Sequence, residues 1–402
     1  MRVLFLTFYF RPDLCAGSFR ATPLVEALVA RAPPAWHIDV ISTLPNRYES
    51  FAVDAPEFEQ HGRLTVRRIA LPAHQSGMLD QSKAFLAFAR AVRRVVAHER
   101  YELVVATSSR LMTAALAAEA ARRSGARLYL DIRDIFADTI GEVLPRTAAL
   151  LAQPLFSIIE RRTVERADCV NLVSPGFAPY FQARYPVRRF SYFTNGIDDE
   201  FLAIDSGRIR EQRRATAQRE LTIVYAGNIG EGQGLHAIVP DLARRLEGRA
   251  SIKVIGDGGR RAVLEAALAR AHVSNVQLLA PMSREALIAE YLAADVLFMH
   301  LNDYEAFKKV LPSKIFEYAA LGKPILAGVA GYSADFVSSE ISNAAVFTPC
   351  DVDSAMRAFA MLDLRDTPRP DFVAKYARSA ISAAMATDII ECARNPQPKV
   401  TV

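Results

Sequence analysis

The chain has 402 residues, 51% of them hydrophobic and 23% charged, with a formal net charge of +5 and an isoelectric point near 9.0. That length suits two domains, and the composition excludes a disordered chain. The small positive excess does not by itself indicate a nucleic-acid partner, and no run of about 18 uncharged apolar residues marks a membrane span.

The opening run, Met1-Arg2-Val3-Leu4-Phe5-Leu6-Thr7, reads as a buried strand; Arg11-Pro12-Asp13 breaks it too soon for a signal peptide. That strand is placed at Val3–Phe8, and five more are expected at His37–Ser42, Leu64–Ala70, Leu103–Ala106, Arg127–Asp131 and Cys169–Ser174, with helices at Arg20–Ala32, Lys83–His98, Leu111–Arg123 and Ser157–Arg166. Continuous apolar strands separated by helices predict a parallel sheet covered on both faces. The pattern restarts at Leu221–Ala226. It continues through Ser251–Ile255, Val276–Leu279, Val296–His300, Pro324–Ala327 and Ala344–Phe347, with a helix after each.

The fold class is therefore α/β, two doubly wound Rossmann-like domains in tandem. The first is placed at residues 1–196 and the second at 197–371, joined by a charged seam over Asn195–Gln218. A last helix at 372–395 is left over after the second unit.

The four cysteines, Cys15, Cys169, Cys350 and Cys392, show no CxxC pair and no zinc spacing. They are expected to be reduced, in a cytoplasmic protein. Residues 61–130 hold twelve Lys or Arg against four Asp or Glu, which predicts a basic surface in the first half. Within it, residues 83–100 form a helix with Lys83, Arg90 and Arg94 near one side and Phe85, Phe88, Val92 and Val95 near another. Two readings follow: a core-facing helix with a solvated basic face, or a helix lying on an anionic membrane surface. The apolar stretch Leu144–Ile159, broken by Pro145, Arg146 and Pro154, reads as a lid or a membrane-touching loop.

In doubly wound sheets ligands bind outside the carboxyl ends of strands, and three segments fall there. After the first strand, Gly17 lets a backbone approach an anion or a sugar at a helix N-terminus; an ordinary strand–helix loop is the alternative. The second unit opens with Gly227-Asn228-Ile229-Gly230-Glu231-Gly232-Gln233-Gly234, a phosphate-facing loop with the wrong spacing for a dinucleotide fingerprint. The next strand ends in Gly256-Asp257-Gly258. The third segment is the most informative: Lys308-Lys309-Val310-Leu311-Pro312-Ser313-Lys314-Ile315-Phe316-Glu317-Tyr318. Pro312 and Ser313 predict a helix start, whose free N–H groups together with Lys308, Lys309 and Lys314 suit a diphosphate. Glu317, one turn on, suits ribose hydroxyls; a surface helix with solvated lysines is the alternative.

This third segment resembles the donor-binding motif of family-4 retaining glycosyltransferases, which have the GT-B fold. Their motif is two glutamates separated by seven residues, followed by a helix and a Gly-Lys/Val-Pro turn, here Gly322-Lys323-Pro324. Glu317 matches the second glutamate, and Lys309 stands at the position of the first. Leu311–Tyr318 resembles the branch that builds O-antigen and other polysaccharides, often with N-acetylated amino sugars. Met1–Thr43, Asp168–Gly176, Thr194-Asn195-Gly196-Ile197-Asp198 and Val254–Gly258 resemble further family segments in the family's order.

The resemblance implies two domains facing a central cleft, with acceptor binding in the first and nucleotide-sugar binding in the second. It implies a last helix that packs back on the first domain, retention of configuration, and no metal or other cofactor. Donor contacts are then expected from Gly17, Asn228, Gly230, Asp257, Lys308, Lys309, Ser313, Lys314 and Glu317. The donor is expected to be UDP-linked and the acceptor a glycan or a polyprenyl-diphosphate sugar, with no nucleic-acid partner and a location peripheral to the inner face of the cell membrane.

Two departures bear on the site. Relatives carry an Arg and a Lys after the glycine loop, where this chain has Asn228, Glu231 and Gln233. No acceptor-domain histidine is evident, so Asp134 and Arg133 are the catalytic candidates: a carboxylate to orient the acceptor hydroxyl and a cation to bind phosphate or hold that carboxylate. A structural pair at a strand end is the alternative. The Asp351-Val352-Asp353 triplet is expected to cap a helix rather than bind metal. Other functions left open are a catalytically silent subunit of a polysaccharide assembly complex, a UDP-sugar epimerase and an NAD-dependent oxidoreductase.

Overall fold

The computed structural model describes residues 1–13, 15–45, 54–71, 78–108, 111–135, 146–202 and 220–394. The chain divides into two compact units, Met1–Asn195 with Arg378–Val402, and Gly196–Ala377.

The first unit runs β1 (Arg2–Leu6), α1 (Ala16–Arg31), β2 (His37–Thr43), β3 (Phe58–His61), β4 (Leu64–Ile69), α2 (Met78–Ala97) and β5 (Leu103–Ser108). It continues with α3 (Leu111–Ser124), β6 (Arg127–Ile132), α4 (Arg146–Arg166), β7 (Cys169–Leu172), α5 (Ala178–Arg184) and β8 (Phe190–Ser191). Its sheet has the order β3-β4-β2-β1-β5-β6-β7-β8, parallel except for the β3–β4 pair. Val3, Leu4, Phe5 and Leu6 of β1 are completely buried, as a central strand covered on both faces requires. The strand order reverses between β1 and β5, where Leu6 lies between Ile41 and Ala106.

The second unit runs α6 (Asp199–Leu202), β9 (Leu221–Ala226), α7 (Leu235–Arg245), β10 (Ala250–Ile255), α8 (Arg261–Ala271), β11 (Val276–Leu279) and α9 (Arg284–Ala293). Then come β12 (Val296–His300), α10 (Lys314–Ala320), β13 (Ile325–Gly328), α11 (Tyr332–Glu340), β14 (Ala344–Phe347), α12 (Val352–Met361) and α13 (Pro370–Tyr376). All pairs are parallel in the order β11-β10-β9-β12-β13-β14, with the reversal between β9 and β12. That is the doubly wound order of a Rossmann-like sheet. The final helix, α14 (Arg378–Arg394), returns to the first unit and packs on α1.

Four expectations are corrected. The first sheet has eight strands rather than six, because β3 and β8 are too short and too polar to stand out from sequence. The helix placed at 372–395 is two helices: Phe372 and Tyr376 of α13 pack against Phe316 and Phe336 in the second unit with tilted or edge-on rings, and extended Ala377 ends that helix before α14 begins. The stretch at 144–159 is no loop from Arg146 onward but the first part of α4, which runs through Pro154. Its inward residues Glu160, Thr163 and Val164 recur at helical spacing, while Leu155 and Ile158 point outward. Finally, Cys169 at the start of β7 and Cys392 in α14 form a disulfide, with Cα atoms 6.3 Å apart across 223 residues of sequence. Cys15 and Cys350 are free thiols, so the cysteine argument for a reducing compartment falls.

Candidate active site

In the second unit the site forms at the reversal point, where β9 and β12 end side by side. The loop after β9 is stitched by its own polar groups. Gly227 N–H donates to Ile255 O (2.8 Å) and Ile229 N–H to Asp257 O (2.8 Å). The Tyr225 hydroxyl donates to Asn228 O at 2.7 Å. The Asn228 amide donates to Gln233 Oε1 at 2.8 Å, and Gly230 N–H reaches the same oxygen at 3.2 Å. Asn228 and Gly230, expected as donor contacts, also shape the loop. Glu231 accepts from Tyr304 Oη at 2.5 Å and pairs with Arg260 at 2.5 Å.

Beneath the loop, His300 is buried at the end of β12. Its Nδ1 bonds to Gln233 O at 2.7 Å and its Nε2 accepts from Cys350 N–H at 2.9 Å. These bonds fix the neutral tautomer. Burial pushes its pKa down to about 4, against the opposing effect of the Gln233 carbonyl.

Gly227 has φ +142°, a conformation open to glycine, and a β-carbon there would collide with the Lys314 amine. Lys314 begins α10 and directs its ammonium at this strand end, 5.6 Å from the Tyr225 ring centre. It forms no ion pair among the described residues. Burial lowers its pKa, and Glu317 only partly opposes the shift. A desolvated cation at a strand end suits an anion.

Glu317, 8% exposed, sits one turn along α10. Its Oε1 lies 3.4 Å from Arg284 Nη1, while Arg284 Nη2 donates to Asp198. Burial works against the Arg284 cation, but Glu317 and Asp198 outweigh it and raise its pKa.

The remaining second-unit candidates have contacts of their own. Asp257 caps its own turn by accepting from Gly258 N–H at 2.8 Å. Lys308 pairs with Glu305, and Lys309 closes a 3-10 turn at Phe307–Lys309. Ser313 precedes α10 but makes no side-chain cap bond, and a seven-residue helix supplies little dipole. Lys314, rather than the end of this short helix, is thus the positive group set against the Gly227 backbone. Asp351 caps α12 by accepting from Ser354 N–H at 3.0 Å, and Asp353 pairs with Arg245.

In the first unit the strand ends of β1, β5 and β6 converge on the start of α1. Gly17 is tight against the Tyr9 ring, 2.9 Å from where its β-carbon would stand, so packing alone demands glycine. Arg133 Nη2 donates to Ala16 O at 3.0 Å, and its Nε is buried without a partner. Arg133 makes no hydrogen bond or ion pair to Asp134 among the described residues, so of its two expected roles the hold on that carboxylate acts only through charge. The clamped carboxylate is Asp131, completely buried at the end of β6. It receives Arg20 Nε and Nη2 at 2.7 Å each and Asn171 Nδ2 at 2.8 Å. Burial raises the Asp134 pKa to about 6, with Arg133 pulling the other way. Burial and the like charge of Arg20 lower that of Arg133.

Sequence reasoning missed Arg20–Asp131–Asn171 and Arg284. The first joins residues 111 and 40 apart in sequence and had no local signal. Arg284 was visible only as the first residue of a helix.

The sequence matches the glycosyl transferase 4-like domain model over residues 18–196 and the glycosyl transferases group 1 model over residues 208–380. The chain belongs to the family-4 GT-B glycosyltransferases. It is 25% identical over 217 residues to WcaI of Escherichia coli K12, a glycosyl transferase assigned to colanic acid biosynthesis. That match covers 50% of this chain and 51% of WcaI, so the chain spans about half the length of this relative. Among solved structures, WaaG, a glycosyltransferase of lipopolysaccharide biosynthesis, superimposes with a TM-score of 0.64 at 15% identity, over 98% of this chain and 96% of that one. Anabaena HepE in complex with UDP-glucose gives 0.63 at 16%, over 98% and 97%. A trehalose-phosphate synthase from Burkholderia xenovorans gives 0.66 at 15%, over 97% and 100%. At these identities the likeness establishes a GT-B fold.

Proposed function

We propose that this chain transfers a glycosyl group from a nucleotide-diphosphate sugar to a hydroxyl of a glycan or polyprenyl-diphosphate-linked acceptor, in the assembly of a cell-surface polysaccharide. The observation that carries the reading is the partly buried Lys314 side chain, whose ammonium has no ion-pair partner among the described residues and is set against the Gly227 backbone, with Glu317 one turn away. The diphosphate supplies the missing counter-charge, and Glu317 accepts from the ribose hydroxyls. UDP is the favoured nucleotide because HepE, of the same fold, binds UDP and UDP-glucose.

In the transfer the bond from the sugar's anomeric carbon to the β-phosphate oxygen breaks. The acceptor oxygen bonds to that carbon, and the acceptor proton passes to the departing nucleoside diphosphate. Retention of configuration follows the family resemblance, through an oxocarbenium-like transition state. Lys314 neutralises charge as it develops on the leaving phosphate, a role that needs no metal. Asp134 orients the acceptor hydroxyl in the first unit. The exposed basic face of α2 supports a lipid-linked acceptor held at an anionic membrane surface.

A melting-temperature panel with UDP, GDP, dTDP, CMP and NAD, without added metal, tests the reading. A ligand at about 100 times its dissociation constant adds roughly 2.7 kcal/mol to the folded state. A shift with UDP that Glu317→Ala removes is the expected result. A shift with NAD alone overturns the reading, and no shift at all favours a silent subunit.

A further inference from the structure

The start of α9 brings together groups that no sequence motif joins. Ser283 caps the helix by accepting from Ala286 N–H at 3.3 Å, which fixes the direction in which the next residue leaves the backbone. That residue, Arg284, reaches two carboxylates on different elements. Nη1 lies 3.4 Å from Glu317 Oε1 in α10, and Nη2 donates to Asp198 Oδ2, just before α6. Its guanidinium carbon stands 4.6 Å from the centre of the Phe201 ring. The side chains of Arg284, Asp198 and Glu317 are 20%, 10% and 11% exposed, so water does little to screen the three charges. The planar fork of arginine serves two acceptors at once, which a lysine ammonium on a flexible stem does less well. Lys314, the other cation near Glu317, is set against Gly227, and Arg284 is the cation within ion-pair distance of the carboxylate.

We propose that Arg284 is a positioning residue for ribose recognition: it holds the Glu317 carboxylate in the orientation that accepts the ribose hydroxyls, and takes its own orientation from Asp198. The inference rests on the nucleotide-sugar reading. Its consequence is selective. Loss of Arg284 frees the carboxylate and weakens the ribose contact while leaving the diphosphate contact at Lys314 in place. A structural role for Arg284 would weaken all nucleotide contacts together.

The full chain is titrated with UDP and with 2′,3′-dideoxyuridine diphosphate, for wild type, Arg284→Met, Arg284→Lys and Asp198→Asn. Wild type is expected to prefer UDP by at least about tenfold, as loss of hydrogen bonds to a charged acceptor implies. Arg284→Met should bring the preference close to one while binding the dideoxy ligand with unchanged affinity. Arg284→Lys should restore part of the preference, and Asp198→Asn should reduce it without abolishing it. If Arg284→Met fails to fold, the Lys and Asn variants carry the same comparison. An equal loss for both ligands, leaving the ratio intact, overturns the inference and spares the nucleotide-sugar reading. So does a wild type that binds both ligands alike. A wild type that binds neither of these ligands, nor GDP or dTDP, fails the nucleotide-sugar reading itself.

Discussion

The Lys314 ammonium occupies the space that a β-carbon on Gly227 would need. The glycine and the lysine are therefore one device: the missing side chain just after β9 makes room for the cation delivered from α10. Two substitutions break it from opposite sides. Gly227→Ala displaces the amine and strains a backbone at φ +142°. Lys314→Met removes the charge and leaves the volume. Both should weaken UDP binding in isothermal titration, Lys314→Met by roughly ten- to a hundredfold, the worth of a charge-assisted contact. Lys314→Met should melt no lower than wild type, because the folded state no longer shelters a desolvated cation. Wild-type affinity in the methionine variant would remove Lys314 from the site.

Asp134 links stability and activity in opposite senses. Its pKa is raised by burial to about 6, so the folded chain favours the protonated form more than the unfolded chain does. The sign follows: Asp134 is neutral to stability below about pH 4 and costs stability as pH rises through about 6. The penalty at pH 8 reaches about 3 kcal/mol at most. Asp134→Asn should therefore raise the melting temperature at pH 8, with the gain vanishing near pH 4. If the carboxylate orients the acceptor, the same variant loses activity at every pH, and wild-type activity falls below about pH 6. A variant that is more stable at pH 8 and fully active would leave Asp134 a structural residue.

Both sheets were legible because their central strands are continuous apolar runs and their helices repeat at 3.6 residues, as in α1, where Ala21, Leu24, Val25 and Leu28 are buried. The edge strand Phe58–His61 has no such run and was invisible. In the site, Glu317 and Lys314 were legible because both fall in one segment with a proline and a helix start. That Lys314, rather than Lys308 or Lys309, reaches the end of β9 was not, since it depends on a glycine 87 positions earlier. The clamp of Arg20 on Asp131 and the bond between Cys169 and Cys392 lie further still from any local pattern: each joins residues that only the folded sheet brings together.

The disulfide ties β7 to the returning helix α14 and so closes a loop that contains the whole second unit. Closing so long a loop stabilises by about 2–5 kcal/mol, chiefly through the unfolded state. Cys392→Ser should lower the stability of the first unit by that order, and dithiothreitol should do the same to wild type while leaving the variant unchanged. Alkylation of the denatured, unreduced protein should modify two thiols, Cys15 and Cys350. Four modified thiols would show that the chain as purified carries no such bond.

The face that bears α2 makes the last prediction. Phe88 and Val92 point into the core, while Lys83, Arg90 and Arg94 are exposed, and Leu86 is 51% exposed among them. Arg93 is spent on Glu119, at 2.8 Å, which leaves Arg90 and Arg94 as the residues to reverse. α3 touches both α2 and α4, so the outward Leu155 and Ile158 of α4 belong to the same side of the sheet. Basic side chains near an anionic surface contribute about 1 kcal/mol each, and salt at 0.1 M screens them beyond about 10 Å. In flotation with vesicles rich in anionic lipid, wild type should bind at low salt and release at high salt. Arg90→Glu with Arg94→Glu should bind at least about tenfold more weakly, and Leu86→Ser should weaken binding without changing its salt dependence. Equal flotation of wild type and the double reversal would assign α2 to a solvated basic face and place the lipid-linked acceptor elsewhere.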